Sequence, residues 1–250
     1  MIILKRISRI SEKCVAPTGY HAVPALSWHT KEPYHVFSPF YLRTDGLEQQ
    51  HNAGGIIFEN FWQGSKVYPS VDTTEIYSNR FRKGKPIFKY QTTNGQTEKH
   101  IDNNKILPDY WRWRQQLWMC PSAVRYPVGR TARKNCAFSL LRQSDGTEKR
   151  LDYLESRKQI YGAEYKRLIR KLPEYQTLLN RLRAGEKLCI FEIDVPAPSK
   201  KGAYGHNCHD GYYVATPENL DILINDPSEP CGHGIFLAQA FFEDFLHPSH

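Results

Sequence analysis

The sequence lacks the motifs that identify several common classes of protein. Its six cysteines form no Cys-x-x-Cys pair, so the sequence predicts neither a zinc module nor a dense disulfide framework. The first residues, MIILKRISRISEK, hold only a short apolar stretch before basic residues. No later apolar run approaches the roughly 18 residues of a membrane span. We therefore expect neither a signal peptide nor a membrane helix, and a reducing, cytoplasmic location.

Motifs for cradling phosphates or activating a nucleophile are also absent. No glycine-rich segment of the P-loop or dinucleotide-binding kind occurs, and no Ser or Cys lies in a nucleophile-elbow context. We therefore expect no bound cofactor. The segment GHNCHD places His206, Cys208, His209 and Asp210 together, but these spacings are too short for a structural zinc site. We expect no metal.

Acidic residues are fewer than basic ones. Lys and Arg number 34 against 26 Asp and Glu, which gives a formal net charge of +8 at pH 7. A basic surface attracts phosphate-bearing partners at long range, so a nucleotide-like substrate or a nucleic acid is a candidate partner. The alternative is that the excess charge only aids solubility. The sequence predicts no membrane partner and leaves the oligomeric state open.

The elements that the sequence does contain mix helices and strands irregularly. With 250 residues, of which 40% are hydrophobic and 13% aromatic, the chain can build one sizeable core. We predict a single α+β domain over residues 1–250. Residues 1–55 indicate short strands and loops, HVFSPFYL indicates an edge strand or a turn at Pro39, and Asn94-Gly95 indicates a hairpin.

Apolar periodicity and the placement of proline and glycine predict the longer elements. In PDYWRWRQQLWMC, the seven-residue spacing of Trp111 and Trp118 predicts that the two rings share a buried face. Alternation predicts strands in EKLCIFEIDVP and YYVA. Further helices are predicted in FENFWQGSKVY, DYLESRKQIYGAEYKRLIRKL, PEYQTLLNRLRAG, PENLDILIN with Thr216 as its N-cap, and GHGIFLAQAFFEDFL.

The segment GGIIFENFWQGSK contains the most suggestive polar residues. At helical spacing Glu59, Gln63 and Lys66 fall at i, i+4 and i+7, so they are predicted to share one face beside aromatic rings. A carboxylate can stabilise a developing cation, and a desolvated lysine can attack a sugar carbonyl. The alternative is a surface helix with ordinary polar residues.

The segments VFSPFYLRTDG and GIIFENFWQGSK resemble the opening signature of the NADAR superfamily, the YbiA-like N-glycosidases. In that family a Ser-Asn-Phe-Tyr segment and a glycine precede a helix with the pattern Glu-His-x-x-Gln-x-x-Lys. Here Pro39 and Asn60 stand in place of the usual Asn and His. The matching positions in VFSPFYLRTDG and GIIFENFWQGSK are Ser38, Phe40, Tyr41, Gly46, Glu59, Gln63 and Lys66.

The C-terminal segment CGHGIFLAQAFF is similar to the closing helix start of that family, Gly-x-Asn-x-Leu-Gly, with Gly234 in place of the Asn. The Asp-x-x-Trp-Gly segment of the family is not clearly present, and Asp226 or Asp210 could supply its acid. The resemblance spans about residues 36–245 and treats residues 1–35 as an N-terminal extension. The middle of the chain resembles a divergent branch of that superfamily in large DNA viruses and microbes, through the segments PDYWRWRQQLWMCPSAVRYPVG, LESRKQIY and GEKLCIFEID…NDPSEPCGHG.

The resemblance implies hydrolysis of a C–N glycosidic bond in an ADP-ribose-linked base or a related nucleotide N-glycoside. Glu59 would stabilise the positive charge on the ribose, and Asp226 would be a further catalytic acid. Lys66 would capture the opened sugar as a Schiff base, or bind phosphate. The implied substrate-binding residues are Ser38, Tyr41, Trp62, Gln63, Arg125, Arg157, Gly232, His233 and Gly234.

One cleft is expected to be lined by Ser38, Tyr41, Glu59, Trp62, Gln63 and Lys66 together with the Gly232–Gly234 turn, whose glycines let backbone N–H groups approach a phosphate. Trp62 and Tyr41 would stack on a base, while Arg125 and Arg157 would hold phosphate. For the two arginines the alternative is a structural ion pair with Glu155 or with the C-terminal acids. For the protein, the alternatives are a catalytically inactive nucleotide- or ADP-ribose-binding protein and a basic nucleic-acid-binding protein.

Overall fold

The structure of the chain is a computed structural model. It describes residues 1–7, 13–26, 33–45, 54–77, 84–93, 95–126, 135–195 and 207–246. The chain divides into two compact units. Met1–Leu42 and Gly162–His250 make up one, which we call the terminal unit, and Arg43–Tyr161 makes up the other, the central unit. Both contain helices and short strands, which confirms the predicted α+β class.

The described elements are short strands and helices of up to fourteen residues. A 3₁₀ turn spans Tyr34–Phe37, and a π-helical turn spans Arg157–Gly162. The helices are α1 Phe58–Ser65, α2 Pro108–Met119, α3 Tyr153–Ser156, α4 Ala163–Ile169, α5 Pro173–Arg183, α6 Pro217–Asn225 and α7 His233–Leu246. The strands are β1 Ile2–Arg6, β2 Tyr20–Pro24, β3 Lys66–Val67, β4 Ser70–Val71, β5 Thr74–Ile76, β6 Phe88–Tyr90, β7 Glu98–Lys99, β8 Ile101–Asp102, β9 Lys105–Ile106, β10 Phe138–Arg142, β11 Glu148–Leu151, β12 Lys187–Glu192, β13 Cys208–His209 and β14 Tyr212–Ala215.

A five-stranded mixed sheet organises the terminal unit, in the order β13-β14-β1-β12-β2. Strand β12 has parallel neighbours on both sides, and five of its six residues are buried. A strand covered on both faces needs apolar side chains throughout, so the strand prediction is confirmed but its alternation is not. Helix α7 packs on β12 and contacts α4, α5 and α6. Its residues from His233 to Ala238 are all buried, as its apolar sequence predicts.

Helices α1 and α2 pack against each other in the central unit. Gly64 permits this contact, because a Cβ atom there would lie 2.5 Å from Nε1 of Trp118. The Tyr110 hydroxyl donates to the Gly64 carbonyl at 2.9 Å. A cluster of buried aromatic and aliphatic side chains around Trp113 forms the core of the unit. The small sheets β11-β10-β3, β4-β7, β5-β6 and β8-β9 complete it.

Three local predictions need correction or refinement. Trp111 is 41% exposed, whereas Trp113 is fully buried, because α2 buries the face that carries Tyr110, Trp113 and Leu117. Strand β6 pairs with β5 and β7 pairs with β4, so the segment between β6 and β7 does not join them as a hairpin. Asn94 itself lies outside the described residues. Around Pro39 the turn is correct and the edge strand is wrong.

The first residues belong to the core of the terminal unit. Strand β1 lies between β12 and β14, with Ile2 opposite both Leu188 and Ala215. Ile2, Ile3 and Leu4 are buried. In this chain the residues that the resemblance treats as an extension therefore supply an interior strand. The assignment of residues 1–250 to one domain of that family stays a prediction.

Candidate functional site

Helix α1 carries the central residues of the candidate site. It begins at Phe58 and ends at Ser65, whose hydroxyl donates to the Trp62 carbonyl at 2.8 Å and satisfies an acceptor of the last turn. Lys66 has extended backbone angles and begins β3, where it pairs with Ser139. The prediction that Lys66 shares the helical face of Glu59 and Gln63 is therefore wrong.

A chain of side-chain hydrogen bonds nevertheless joins the three predicted residues. Nε2 of Gln63 donates to Oε1 of Glu59 at 2.9 Å. Nζ of Lys66 donates to Oε1 of Gln63 at 3.1 Å. Glu59 and Gln63 are both buried, and Lys66 is partly buried. The amide thus uses both ends, and its orientation follows from a cation on one side and a carboxylate on the other.

Lys66 also lies over an aromatic ring. Its Nζ atom is 4.4 Å from the centre of the Trp62 ring, and the rings of Trp62 and Tyr161 meet in an edge-to-face arrangement at a centroid distance of 5.4 Å. A ring face attracts a cation, so this contact favours the charged ammonium. Trp62 is 8% exposed and one face of its ring is in contact with Lys66. The stacking of Trp62 on a base stays a prediction, and it would require this contact to change.

The guanidinium of Arg125 lies beside the carboxylate of Glu59. Nε of Arg125 is 3.5 Å from Oε1 of Glu59, the same oxygen that accepts from Gln63. Glu59 is 5% exposed, whereas the Arg125 side chain is 44% exposed. A buried carboxylate is costly without such partners. The site is therefore a desolvated carboxylate held by an amide on one side and by a solvent-accessible cation on the other.

Asn60 holds the segment that carries Arg125. Its Nδ2 donates to the carbonyls of Cys120 at 3.1 Å and Ser122 at 2.9 Å, and its Oδ1 accepts from the Val124 N–H at 2.7 Å. Asn60 is fully buried. It follows the carboxylate residue in α1, and Arg125 follows Val124 in the chain. Three hydrogen bonds of the Asn60 side chain therefore keep the backbone segments that carry Glu59 and Arg125 close together.

This role of Asn60 was missed at the level of the sequence, where the residue is only a departure from the family pattern. The available signal is its setting in IIFENFW, since an Asn is a weak helix former and an amide buried among apolar residues must find partners. Nothing local shows that those partners lie about sixty residues later in the chain.

Ser38 and Tyr41 belong to the terminal unit. Ser38 is fully buried, and its Oγ accepts from the Phe40 N–H at 3.2 Å, so its side chain supports a local turn. Tyr41 is 55% exposed, and its ring meets the ring of His35 at a centroid distance of 5.2 Å. Their predicted part in one cleft with the residues of α1 stays a prediction. Gly46, the remaining position of that motif, lies outside the described residues.

A buried carboxylate occupies the start of α7, which the resemblance reserves for phosphate. Oε2 of Glu192 accepts from the Gly234 N–H at 2.7 Å and lies 3.1 Å from Nδ1 of His233. Oε1 accepts from the Ile193 N–H at 2.7 Å. A Cβ atom on Gly232 would lie 2.3 Å from Cδ of Glu192. The glycines therefore make room for Glu192, and a phosphate at this helix start would have to displace it.

Two further predicted residues make local contacts. Oδ1 of Asp226 accepts from the N–H and the hydroxyl of Ser228 at 2.7 and 2.6 Å. Arg157 is only 2% exposed, its Cζ lies 4.7 Å from the centre of the Tyr153 ring, and its Nη2 donates to the hydroxyl of that tyrosine. Glu155, the expected ionic partner, forms the capping box of α3 with Asp152. The roles of Asp226 as acid and Arg157 as phosphate ligand stay predictions.

The central unit also buries a polar cluster that the sequence did not reveal. Glu98 accepts from the Tyr90 hydroxyl at 2.5 Å and from the Thr93 N–H at 3.0 Å, and it pairs with Arg112. Burial alone would raise the pKa of Glu98, but these hydrogen bonds and the nearby charge hold it below the usual value. Fully buried His100 lies 4.0 Å from Glu98. Burial lowers the pKa of His100 to about 4.

The part of the chain that the structure describes contains neither a metal cluster nor a membrane-spanning helix. No three His, Cys, Asp or Glu side chains in it are placed to hold a metal ion. Of the GHNCHD segment, Cys208 and His209 form β13, and His206 lies outside the described residues. Within those same ranges, every helix is too short or too polar to cross a bilayer.

No protein-family model matches the chain, and neither a curated protein nor a solved structure matches it. The similarity to the NADAR superfamily therefore stays a prediction that depends on short motifs. The candidate site is defined by its own geometry, which is the buried carboxylate of Glu59 and the side chains of Gln63, Lys66 and Arg125 around it.

Proposed function

We propose that the protein hydrolyses the N-glycosidic bond of a nucleotide-like substrate, such as a base linked to ADP-ribose. The observation that carries the proposal is the buried carboxylate of Glu59, held between Gln63 and Arg125. Cleavage of this bond places positive charge on the ribose at its anomeric carbon. A fixed carboxylate shielded from water stabilises such a charge more strongly than one in solvent, since little reorganisation is needed.

The reaction needs only water as a second reactant. The oxygen of water forms a bond to the anomeric carbon, and the electron pair of the C–N bond leaves with the base. One proton of the water is transferred to the base nitrogen, so atoms and charges balance. Glu59 faces the ribose in this proposal and Gln63 holds the carboxylate in place. No cofactor takes part in this scheme.

Lys66 acts in this proposal as a permanent cation. The earlier alternatives were a Schiff base with the opened sugar and a contact to phosphate. The hydrogen bond to Gln63 and the ring of Trp62 both favour the ammonium, which cannot attack a carbonyl. These contacts support the electrostatic role.

Arg125 is the proposed ligand of a substrate phosphate. Its partly exposed guanidinium can present paired N–H donors to phosphate oxygens. The net charge of +8 would attract such a substrate at long range. We also propose a cytoplasmic location, where nucleotide substrates are plentiful.

The direct test is base release from a panel of nucleotide N-glycosides that includes ADP-ribose-linked bases, followed by chromatography. Glu59→Gln keeps the size of the side chain and its hydrogen-bonding reach but removes the charge. We expect turnover to fall about 100- to 1,000-fold with the fold unchanged. The matched control is Glu75→Gln, which removes an exposed carboxylate of the same unit from its pair with Lys89.

Three other outcomes would contradict the catalytic role or identify one of the two alternative functions. Full activity of the Glu59→Gln protein would contradict the catalytic role of this carboxylate. Saturable binding of ADP-ribose by the wild-type protein, with no base released from any member of the panel, would identify the inactive nucleotide-binding alternative. Steeply salt-dependent binding of nucleic acid, without a saturable nucleotide site, would identify the third alternative.

A further inference from the structure

The ion pair between Arg125 and Glu59 is unequally buried and loosely held. Its acidic member is buried and its basic member is nearly half exposed. Nε of Arg125 lies 3.5 Å from Oε1 of Glu59, which is longer than the charge-assisted hydrogen bonds of about 2.7–2.9 Å that a guanidinium forms with a carboxylate or a phosphate. The contact is therefore one that an anion arriving from solvent can replace.

We infer that Arg125 neutralises Glu59 in the free protein and exchanges this partner for a substrate phosphate, which leaves the carboxylate unneutralised. We call this exchange of partners the latch. This inference rests on the proposed function, because it concerns the regulation of the same site. It also makes the phosphate or pyrophosphate of the substrate a requirement for full turnover. A bare nucleoside would leave the latch closed.

The electrostatic consequence follows from the positions of the charges. A cation beside Glu59 cancels part of the negative potential that the carboxylate offers to a cationic ribose, and this loss is large where water is excluded. When the guanidinium turns to a phosphate, that potential is restored as the substrate binds. The full strength of the carboxylate is thus available only with a phosphorylated substrate in place.

Asn60 confines the motion to a side chain. Its three hydrogen bonds, two of which are buried, fix the backbone from Cys120 to Val124, directly before Arg125. The guanidinium can therefore exchange partners by rotation of its own flexible side chain, without displacement of the segment that carries it.

Competition for one guanidinium gives a thermodynamic test that does not require turnover. If Glu59 holds Arg125 in the free protein, removal of its charge must tighten the binding of phosphate. Pairs with an exposed member are weak, so the expected gain is about two- to fivefold in affinity. Direct repulsion between Glu59 and the phosphate would also be relieved, so the test needs a double-mutant cycle.

The experiment titrates inorganic phosphate, and separately ADP-ribose, into the full chain in a calorimeter. The proteins are wild type, Glu59→Gln, Arg125→Ala and the double variant, with Glu75→Gln as the control and circular dichroism to verify the folds. We expect tighter binding in Glu59→Gln, weaker binding in Arg125→Ala, and a smaller effect of Glu59→Gln when Arg125 is absent. The control should bind like the wild type.

The latch is overturned by an equal effect of Glu59→Gln with and without Arg125, by no tightening at all, or by phosphate binding that none of these changes alters. The result is independent of the proposed reaction. Coupling between Glu59 and Arg125 in the cycle, without base release, would support the latch and contradict the glycosidase proposal. Base release with no coupling in the cycle would support the glycosidase proposal and contradict the latch.

Discussion

The ammonium nitrogen of Lys66 lies 4.4 Å from the centre of the Trp62 ring and donates to Oε1 of Gln63 at 3.1 Å. A lysine that forms imines must spend part of its time neutral. Both contacts are instead strongest with the charged form. These contacts support the proposed role of Lys66 as a cation, which the amide of Gln63 joins to the carboxylate of Glu59.

Lys66→Arg should therefore keep much of the turnover, whereas Lys66→Ala should lower it about tenfold or more, because only the first change keeps a cation near Trp62. Base release under saturating substrate measures both. The control is Lys105→Ala, which removes an exposed amine of β9. Borohydride added during turnover should leave the protein unlabelled. A covalent adduct at Lys66 in the mass spectrum would contradict the fixed-charge role.

Asn60→Asp should destabilise the central unit by about 3 kcal/mol. The change keeps one acceptor for Val124 but replaces the two donors to Cys120 and Ser122 by a carboxylate oxygen that faces their carbonyls. Urea unfolding measures the loss. Gln116→Ala, at an exposed position of α2, should change the stability by less than about 0.5 kcal/mol. A variant of wild-type stability would show that these hydrogen bonds do not hold the segment.

Gly232→Ala should destabilise the protein by about 3 kcal/mol, since the added methyl group would overlap the buried carboxyl group of Glu192. The informative control is Gly146→Ala. That glycine has a φ of +84° and open space around its missing Cβ, so the change there brings only backbone strain of about 1 kcal/mol. Thermal unfolding separates the two effects. Equal losses at the two sites would show that crowding against Glu192 is unimportant.

The stability of the protein should fall on mild acidification because of His100. Its pKa is about 4 in the fold and near 6.5 in the unfolded chain, so between these values the unfolded state binds more protons. The contribution is complete above pH 6.5 and is lost as the pH falls toward 4. Between pH 7.5 and pH 5 the loss amounts to about 2 kcal/mol.

Urea unfolding at pH 7.5 and pH 5 tests this directly. His100→Phe keeps a ring beside Tyr110 and should remove about 2 kcal/mol from the pH dependence, whatever it does to the absolute stability. His209→Gln, at an exposed position, should keep the wild-type dependence. The depressed pKa of Glu98 acts in the same direction, but only near and below pH 4.5. An unchanged dependence in His100→Phe would refute the assignment.

Local patterns were enough to predict much of the fold. Pro173 and Pro217 mark the first residues of α5 and α6, and the Thr216 hydroxyl accepts from the Asn219 N–H as an N-cap should. The apolar run of GHGIFLAQAFFEDFL predicts a buried helix, and α7 is one. These predictions succeed because capping, proline geometry and helical periodicity act over a few neighbouring residues. The same local rules placed Glu59 and Gln63 on one face of α1.

Only the tertiary structure decided which polar groups meet. The partners of Asn60 lie about sixty residues away, Arg125 reaches Glu59 across a similar separation, and Glu192 meets Gly234 from forty-two residues before it. Such contacts arise because a buried polar group must find a partner wherever the packed chain offers one, and no periodicity records that choice. The sequence by itself determined the helices and the residue types of the site. Packing determined that Arg125 lies beside the carboxylate of Glu59 and that the carboxylate of Glu192 occupies the start of α7.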